Sequence, residues 1–170
     1  MLICLIIGGL TGLERERSNQ FAGFRTHILV AIGSCITSIT AVQLFISYSS
    51  YSNMDPARLP AQVLSGIGFI GAGAILKNSS GITGLTTAAG IWATACIGIA
   101  IGYGQYLLGI VAWVLEMITL LSLKRIDKLF FKKSSCNLYL TISSLDAITT
   151  TFAILKECKI SIKNFDVNSK

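Results

Sequence analysis

The chain has 170 residues, only 13% of them charged and 52% hydrophobic, with a mean hydropathy of +0.68. Soluble domains carry about 25% charged residues, and here residues 26–123 offer only Asp55, Arg58, Lys77 and Glu116 as full charges, which excludes an ordinary water-exposed surface. The net charge of +6 lies mostly beside apolar segments, where basic residues set membrane orientation, and no interleaved basic-aromatic surface accompanies it, so nucleic acid is set aside as a partner.

A hydrocarbon core about 30 Å thick requires roughly 20 apolar residues of helix. Five segments are candidates for crossing the lipid bilayer: 1–13, 27–48, 61–76, 85–103 and 106–123. The fold class expected is therefore an α-helical integral membrane protein. The first segment is too short to span alone. It has neither the basic start nor the small-residue cleavage site of a signal peptide; either the helix continues past Leu13 into the charged segment, or it is the end of a longer first helix that begins upstream, the reading favoured.

The run Glu14, Arg15, Glu16, Arg17 follows, and then Gly23, Arg25, Thr26 and His27. Two readings stand side by side: a solvated loop that anchors two helix ends, and a site for an anionic partner or lipid headgroups centred on Arg25. His27 is the sole histidine, with no acid or nucleophile near it in sequence, and is expected at the interface making hydrogen bonds.

In the third segment, Gly66, Gly68 and Gly71 formally match G-x-G-x-x-G. That fingerprint carries meaning only after a strand in a β-α-β unit, and here it lies in an apolar helix. Small residues let helices approach closely in lipid. Thr86, Gly90, Thr94, Gly98 and Gly102 recur every fourth residue in the fourth segment, Gly8 and Gly12 pair in the first, and Ala61, Ser65, Gly68 and Ala72 line the third. These are expected packing faces, of a compact bundle or a tight homo-oligomer. Glu116 lies well inside the fifth segment. An intramembrane acid is a functional candidate by default; the readings are a protonated side chain packed on a polar neighbour, or an ion-coupling group.

Residues 124–133 form a basic linker. Beyond it Leu138, Leu140 and Ile142 alternate, Leu145, Ile148, Phe152 and Leu155 recur at helical spacing, and Ile160 and Ile162 alternate again. That predicts a short cytoplasmic β-α-β segment over 134–170, too small to bury much area alone. Arg15, Arg17, Arg25, Lys77 and the linker's Lys124, Arg125, Lys128, Lys132 and Lys133 share one side of a five-span topology, against Arg58 on the other. The bias puts the N-terminus outside and the C-terminus in the cytoplasm. Cys4, Cys35, Cys96, Cys136 and Cys158 form no C-x-x-C pair, so neither disulfides nor a thiolate metal site is expected. The sequence offers no phosphate-binding loop, metal cluster or nucleophile–base pair, and so points to no cofactor and no enzyme.

The stretches GGLTGLERER (8–17), AGFRTHILVAIGS (22–34), DPARLPAQVLSGIGFIGAGAIL (55–76) and GLTTAAGIWATACIGIAIGYGQY (84–106) together resemble the MgtC/SapB family of bacterial inner-membrane proteins. The resemblance implies five membrane helices and a cytoplasmic ACT-like domain, of which this tail would be a shortened part. It also implies links to magnesium limitation, to survival inside macrophages and to modulation of the rotary ATP synthase. Glu14, Arg15, Arg25, Asp55, Arg58, Gln62, Ser65, Gly66, Gly68, Gly71 and Gly73 fall on family motifs. Virulence-associated members resemble GLNTAATLWC in the fourth span; this chain departs at Thr86, Gly90 and Ala93. The leading expectation is a regulator acting by helix–helix contact on another membrane complex, an ATP synthase or a transporter. The alternative is a magnesium or other cation transporter or channel component, for which Glu116 and Asp55 make thin provision.

Overall fold

The computed structural model describes residues 1–48, 50, 54–78 and 81–130; the β-α-β segment expected at 134–170 lies outside the described residues. The elements are α1 (Leu2–Arg17), α2 (Phe24–Tyr48), α3 (Arg58–Gly73), the hairpin strands β1 (Leu76–Asn78) and β2 (Gly81–Thr83), α4 (Leu85–Gly102) and α5 (Tyr106–Phe130). The five helices coincide with the five apolar segments, but their ends differ in instructive ways. α1 runs through the charged residues to Arg17, and α2 starts at Phe24. The supposed loop residues Glu14, Arg15 and Arg25 are therefore helical.

Local chemistry explains the other boundaries. Asp55 opens α3: its Oδ1 accepts the Ala57 N–H at 2.9 Å and its carbonyl accepts that of Arg58 at 3.2 Å. Pro60 sits in the first turn, where a missing N–H costs nothing. The third helix stops at Gly73, three residues before the expected end, because the chain turns into a hairpin that hydropathy does not reveal. β1 and β2 pair antiparallel, with Leu76 opposite Thr83 and Lys77 opposite Ile82. The chain leaves the hairpin through Gly84 at φ +88°, where a Cβ would collide with the Ala74 carbonyl, so only glycine makes this return into α4.

α4 is central and touches all four other helices, while α2 touches α1, α3 and α4. The approach of α2 to its neighbours on both sides is closer than side chains allow. A Cβ on Gly8 would lie 2.7 Å from the His27 carbonyl oxygen, and one on Gly12 would lie 2.6 Å from Phe24 Cα. On the other side, a Cβ on Gly98 would meet the Ala31 carbonyl oxygen at 2.5 Å, and one on Gly102 that of Cys35 at 2.5 Å. Backbone therefore rests on backbone at both crossings. Two small apolar clusters complete the core: Cys4, Ile7, Ala31, Cys35, Ile97 and Ile101, then Ala22, Val30, Ile67, Ile91 and Ala95.

The polarity of this bundle runs inside out. Thr11, Arg15, His27, Ser34, Ser38, Thr87 and Thr94 are buried, whereas Leu2, Leu29, Phe69 and Leu107 are 78%, 70%, 85% and 78% exposed. By length and composition α2 and α4 are long and apolar enough to cross a membrane; the apolar part of α5, Tyr106–Ser122, is shorter.

α3 directs its small residues in two directions. It turns Pro60, Ile67 and Gly71 inward, and Gly71 packs on Ala88. Ala61, Ser65, Gly68 and Ala72 are exposed, and a Cβ on Gly66, Gly68 or Gly73 would meet nothing within 4 Å. The stripe 60, 63, 67, 71, 74 faces the bundle, and Gly66, Gly68 and Gly73 fall on the outer side with Phe69. In thermal unfolding of the purified chain, Gly98→Ala should lose about 1–3 kcal/mol, because the α2 backbone must shift. Gly68→Ala should be neutral or gain up to ~1 kcal/mol of helix propensity.

Candidate functional site

A polar cluster fills one end of the bundle, where the C-terminus of α1 meets the N-termini of α2 and α4. Arg15 follows Gly8 and Thr11 along the inward stripe of α1, so it enters the bundle and is only 5% exposed. Its Nη2 donates to Gln20 Oε1 at 3.0 Å and to Thr87 Oγ1 at 3.3 Å. The Thr87 hydroxyl in turn donates to Gln20 Oε1 at 3.1 Å, and Gln20 Nε2 donates to the Ser18 carbonyl at 3.1 Å. Glu14 stands 3.6 Å from Arg15 Nη1 and accepts the Ser18 hydroxyl at 2.6 Å. A buried guanidinium is thus held by a carboxylate and two fixed oxygens, the condition under which such a charge is tolerated. The same network ties the 18–23 turn to the first turn of α4.

Deeper in the bundle, His27 is fully buried under the Gly8 crossing, with Nδ1 3.0 Å from the Gly23 carbonyl oxygen. It is an interior residue of the helix pair and not the interfacial one expected. Thr94 donates to Glu116 Oε1 at 3.2 Å, so the acid of α5 faces α4. One turn away on α5, Trp113 Nε1 donates to Thr11 Oγ1 at 3.1 Å.

The sequence-derived candidates separate into five groups. Glu14, Arg15, His27, Gly90, Thr94 and Glu116 converge on this end. Gly98 belongs to the α2 crossing. Arg25, placed at the centre of an anion site, is exposed, as is Thr86; its neighbour Thr87 takes the buried position because helical rotation brings 87, 90 and 94 to one side. Asp55 and Arg58 are exposed at the opposite end, where the Tyr103 hydroxyl donates to the Pro56 carbonyl at 2.8 Å. Gln62, Ser65, Gly66, Gly68 and Gly73 lie on the exposed side of α3. Gln20, Thr11, Thr87 and Trp113 were missed. The spacing of Thr11 and Arg15, four apart beside Gly8 and Gly12, was the available signal for the last two turns of α1; Gln20 gave none. Among the described residues no three His, Cys, Asp or Glu side chains gather as a metal site would require.

Comparison with known sequences now bears on this arrangement. The family model described as the MgtC family matches residues 1–129. The chain is 40% identical over 153 residues to "Putative magnesium transporter YhiD" of Escherichia coli strain K12, covering 89% of this chain and 70% of that one. It is 47% identical over 107 residues to "Protein SapB" of Bacillus subtilis, covering 61% and 46% of the two chains. With "Protein MgtC" of Salmonella typhimurium it shares 39% over 106 residues, covering 62% and 43%. No solved structure matches. The glycine crossings and the buried polar end lie entirely within the matched region, and the chain belongs to the MgtC family.

Proposed function

We propose that this protein crosses the bacterial inner membrane several times, N-terminus outside and C-terminus in the cytoplasm, and regulates another membrane complex by helix–helix contact. The complex is an ATP synthase or a transporter, and the role serves magnesium homeostasis and adaptation to low magnesium, including survival inside host cells. The observation that carries the reading is the outer side of α3, where Ser65, Gly66, Gly68 and Gly73 are exposed and a Cβ on any of the three glycines meets no other part of the chain. Glycine in a helix costs about 1 kcal/mol relative to alanine, and lipid contact repays none of it, whereas a partner helix gains by coming close. The exposed Phe69 between these glycines would be the knob of such a contact.

The inside-out polarity supports the bilayer, since lipid solvates the apolar exterior and the polar groups find partners inside. Arg15, Arg17, Arg25 and Lys77 belong to the end where α1 meets α4, and Arg58 to the other, which supports the orientation. The names of the relatives support the magnesium link. This reading gives the chain no reaction of its own.

The printed name of the Escherichia coli relative favours a second reading, a component of a magnesium transporter. Magnesium needs several hard oxygen ligands, and the described interior brings Glu116 alone to its middle, so an oligomer would have to multiply it. Purified protein in liposomes should show no magnesium flux above protein-free vesicles; flux lost in Glu116→Gln would establish the transporter instead. A photo-crosslinker at Gly66 in the native membrane should capture a subunit of an ATP synthase or transporter. A product containing only a second copy of this chain, or no product, would contradict the regulator.

A further inference from the structure

The His27 imidazole and the Glu116 carboxyl face the same place, the position a side chain would take on Gly90, His27 through Nε2 and Glu116 through Oε1. His27 has no exposed surface. Its Nδ1 lies 3.0 Å from the Gly23 carbonyl, which can only accept, so Nδ1 carries the hydrogen and the neutral ring presents a lone pair at Nε2. Nε2 is buried and has no hydrogen-bond partner in the protein. Opposite it, Glu116 Oε1 accepts from Thr94, while Oε2 is buried and likewise unpartnered. A Cβ built on Gly90 would stand 3.9 Å from His27 Nε2 and 4.0 Å from Glu116 Oε1, with nothing nearer. Glycine at this position leaves the imidazole and the carboxyl within reach of one shared small molecule.

The chemistry of the pair names that molecule. A lone pair and a carboxylate are both acceptors, so they need hydrogen between them. Buried polar atoms satisfied by an internal water are common, and water bridges such a span readily. We propose that His27 and Glu116 form a buried proton-binding site, in which a water seated over Gly90 bridges Nε2 to the carboxyl and the pair holds one exchangeable proton. With the proton on Glu116, its O–H donates to the water and the water donates to Nε2. Transfer breaks the Glu116 O–H bond, passes that proton to the water, and forms an N–H bond at Nε2 with the proton the water releases. Carboxylate and imidazolium remain, and the net charge is unchanged.

Every packed element contributes to the field. α1 brings Arg15, whose charge favours the carboxylate, and Glu14 beside it, which offsets that charge. α4 brings the Thr94 hydroxyl and the Cys96 thiol, close enough to feel the Glu116 charge. α5 brings Trp113, committed to Thr11. α3 turns Pro60, Ile67 and Gly71 inward, none of them ionisable. The Arg15–Gln20–Thr87 network occupies the same end of the bundle.

Because His27 is the sole histidine, ring-labelled histidine in the full chain reports it by nitrogen NMR without assignment. The expected result is a neutral ring with its hydrogen on Nδ1, and a carboxylic-acid infrared band that changes at the same pH as the ring signal. Glu116→Gln should abolish that band and move the ring's midpoint to lower pH by about one unit, tenfold in proton affinity. Gly90→Val, which fills the place with methyl groups and removes neither partner, should make ring and carboxyl titrate independently. Hydrogen on Nε2 of the neutral ring, a carboxyl band unaffected by Glu116→Gln, an unmoved ring midpoint, or continued joint titration in Gly90→Val would overturn the proposal. A ring signal shifted by magnesium at fixed pH would replace it with a metal site.

Discussion

The architecture rests on two crossings at which α2 meets its neighbours with no side chain between the backbones. Gly8 and Gly12 seat α1 on the stretch from Gly23 to Ile28, and Gly98 and Gly102 seat α4 on Ala31 and Cys35. Dispersion falls off steeply with distance, so backbones this close gain contacts that wider helix pairs forgo. The geometry also decides what is buried. His27 is sealed by the Gly8 crossing, and Ser34 and Ser38 by the Gly98 and Gly102 crossing. Bringing α1 and α4 against the same helix also places Arg15 within hydrogen-bonding distance of Thr87. The polar interior is a consequence of the glycines.

An interior of this kind makes sense with an apolar solvent outside. In water, burying Arg15, His27 and several hydroxyls while exposing leucines and phenylalanine would lose on both counts. In lipid the exposed residues are solvated, and backbone and polar groups must find partners within the bundle. Close packing between small residues then supplies the association that hydrophobic burial supplies in soluble proteins. The outer side of α3 gathers three glycines, Gly66, Gly68 and Gly73, that approach nothing in the chain, where α2 has Gly33 in that situation, and that concentration gives the functional reading its anchor.

Much of this was legible in the residues. The apolar runs located all five helices, and the Gly8/Gly12 and Gly98/Gly102 spacing identified the two crossings. Helix ends were less legible. Charged residues suggested a loop at 14–17, yet α1 continues because Arg15 lies on its inward stripe and finds partners in Gln20 and Thr87. The four-residue period linking Thr86 to Gly90 assigned the wrong threonine, since an α-helix turns every 3.6 residues and the inward side drifts to Thr87. The same periodicity marked Ala61, Ser65, Gly68 and Ala72 of α3 as a packing face, and within the chain these residues are exposed. Sequence spacing shows that residues share a side, and says nothing of whether a neighbour lies there. The meeting of His27 with Glu116 over Gly90 joins three helices, and no local pattern could have shown it.

The account depends most on the claim that lipid bathes the outer sides of α3 and α5. Nitroxide labels at Phe69 and Leu107 in the reconstituted protein test it directly, read against dissolved oxygen, which concentrates in the bilayer, and a water-soluble nickel chelate. Labels at both positions should be relaxed by oxygen and untouched by the chelate, while a label at Arg58 shows the reverse. Relaxation of the Phe69 and Leu107 labels by the chelate would place those sides in water and contradict the account.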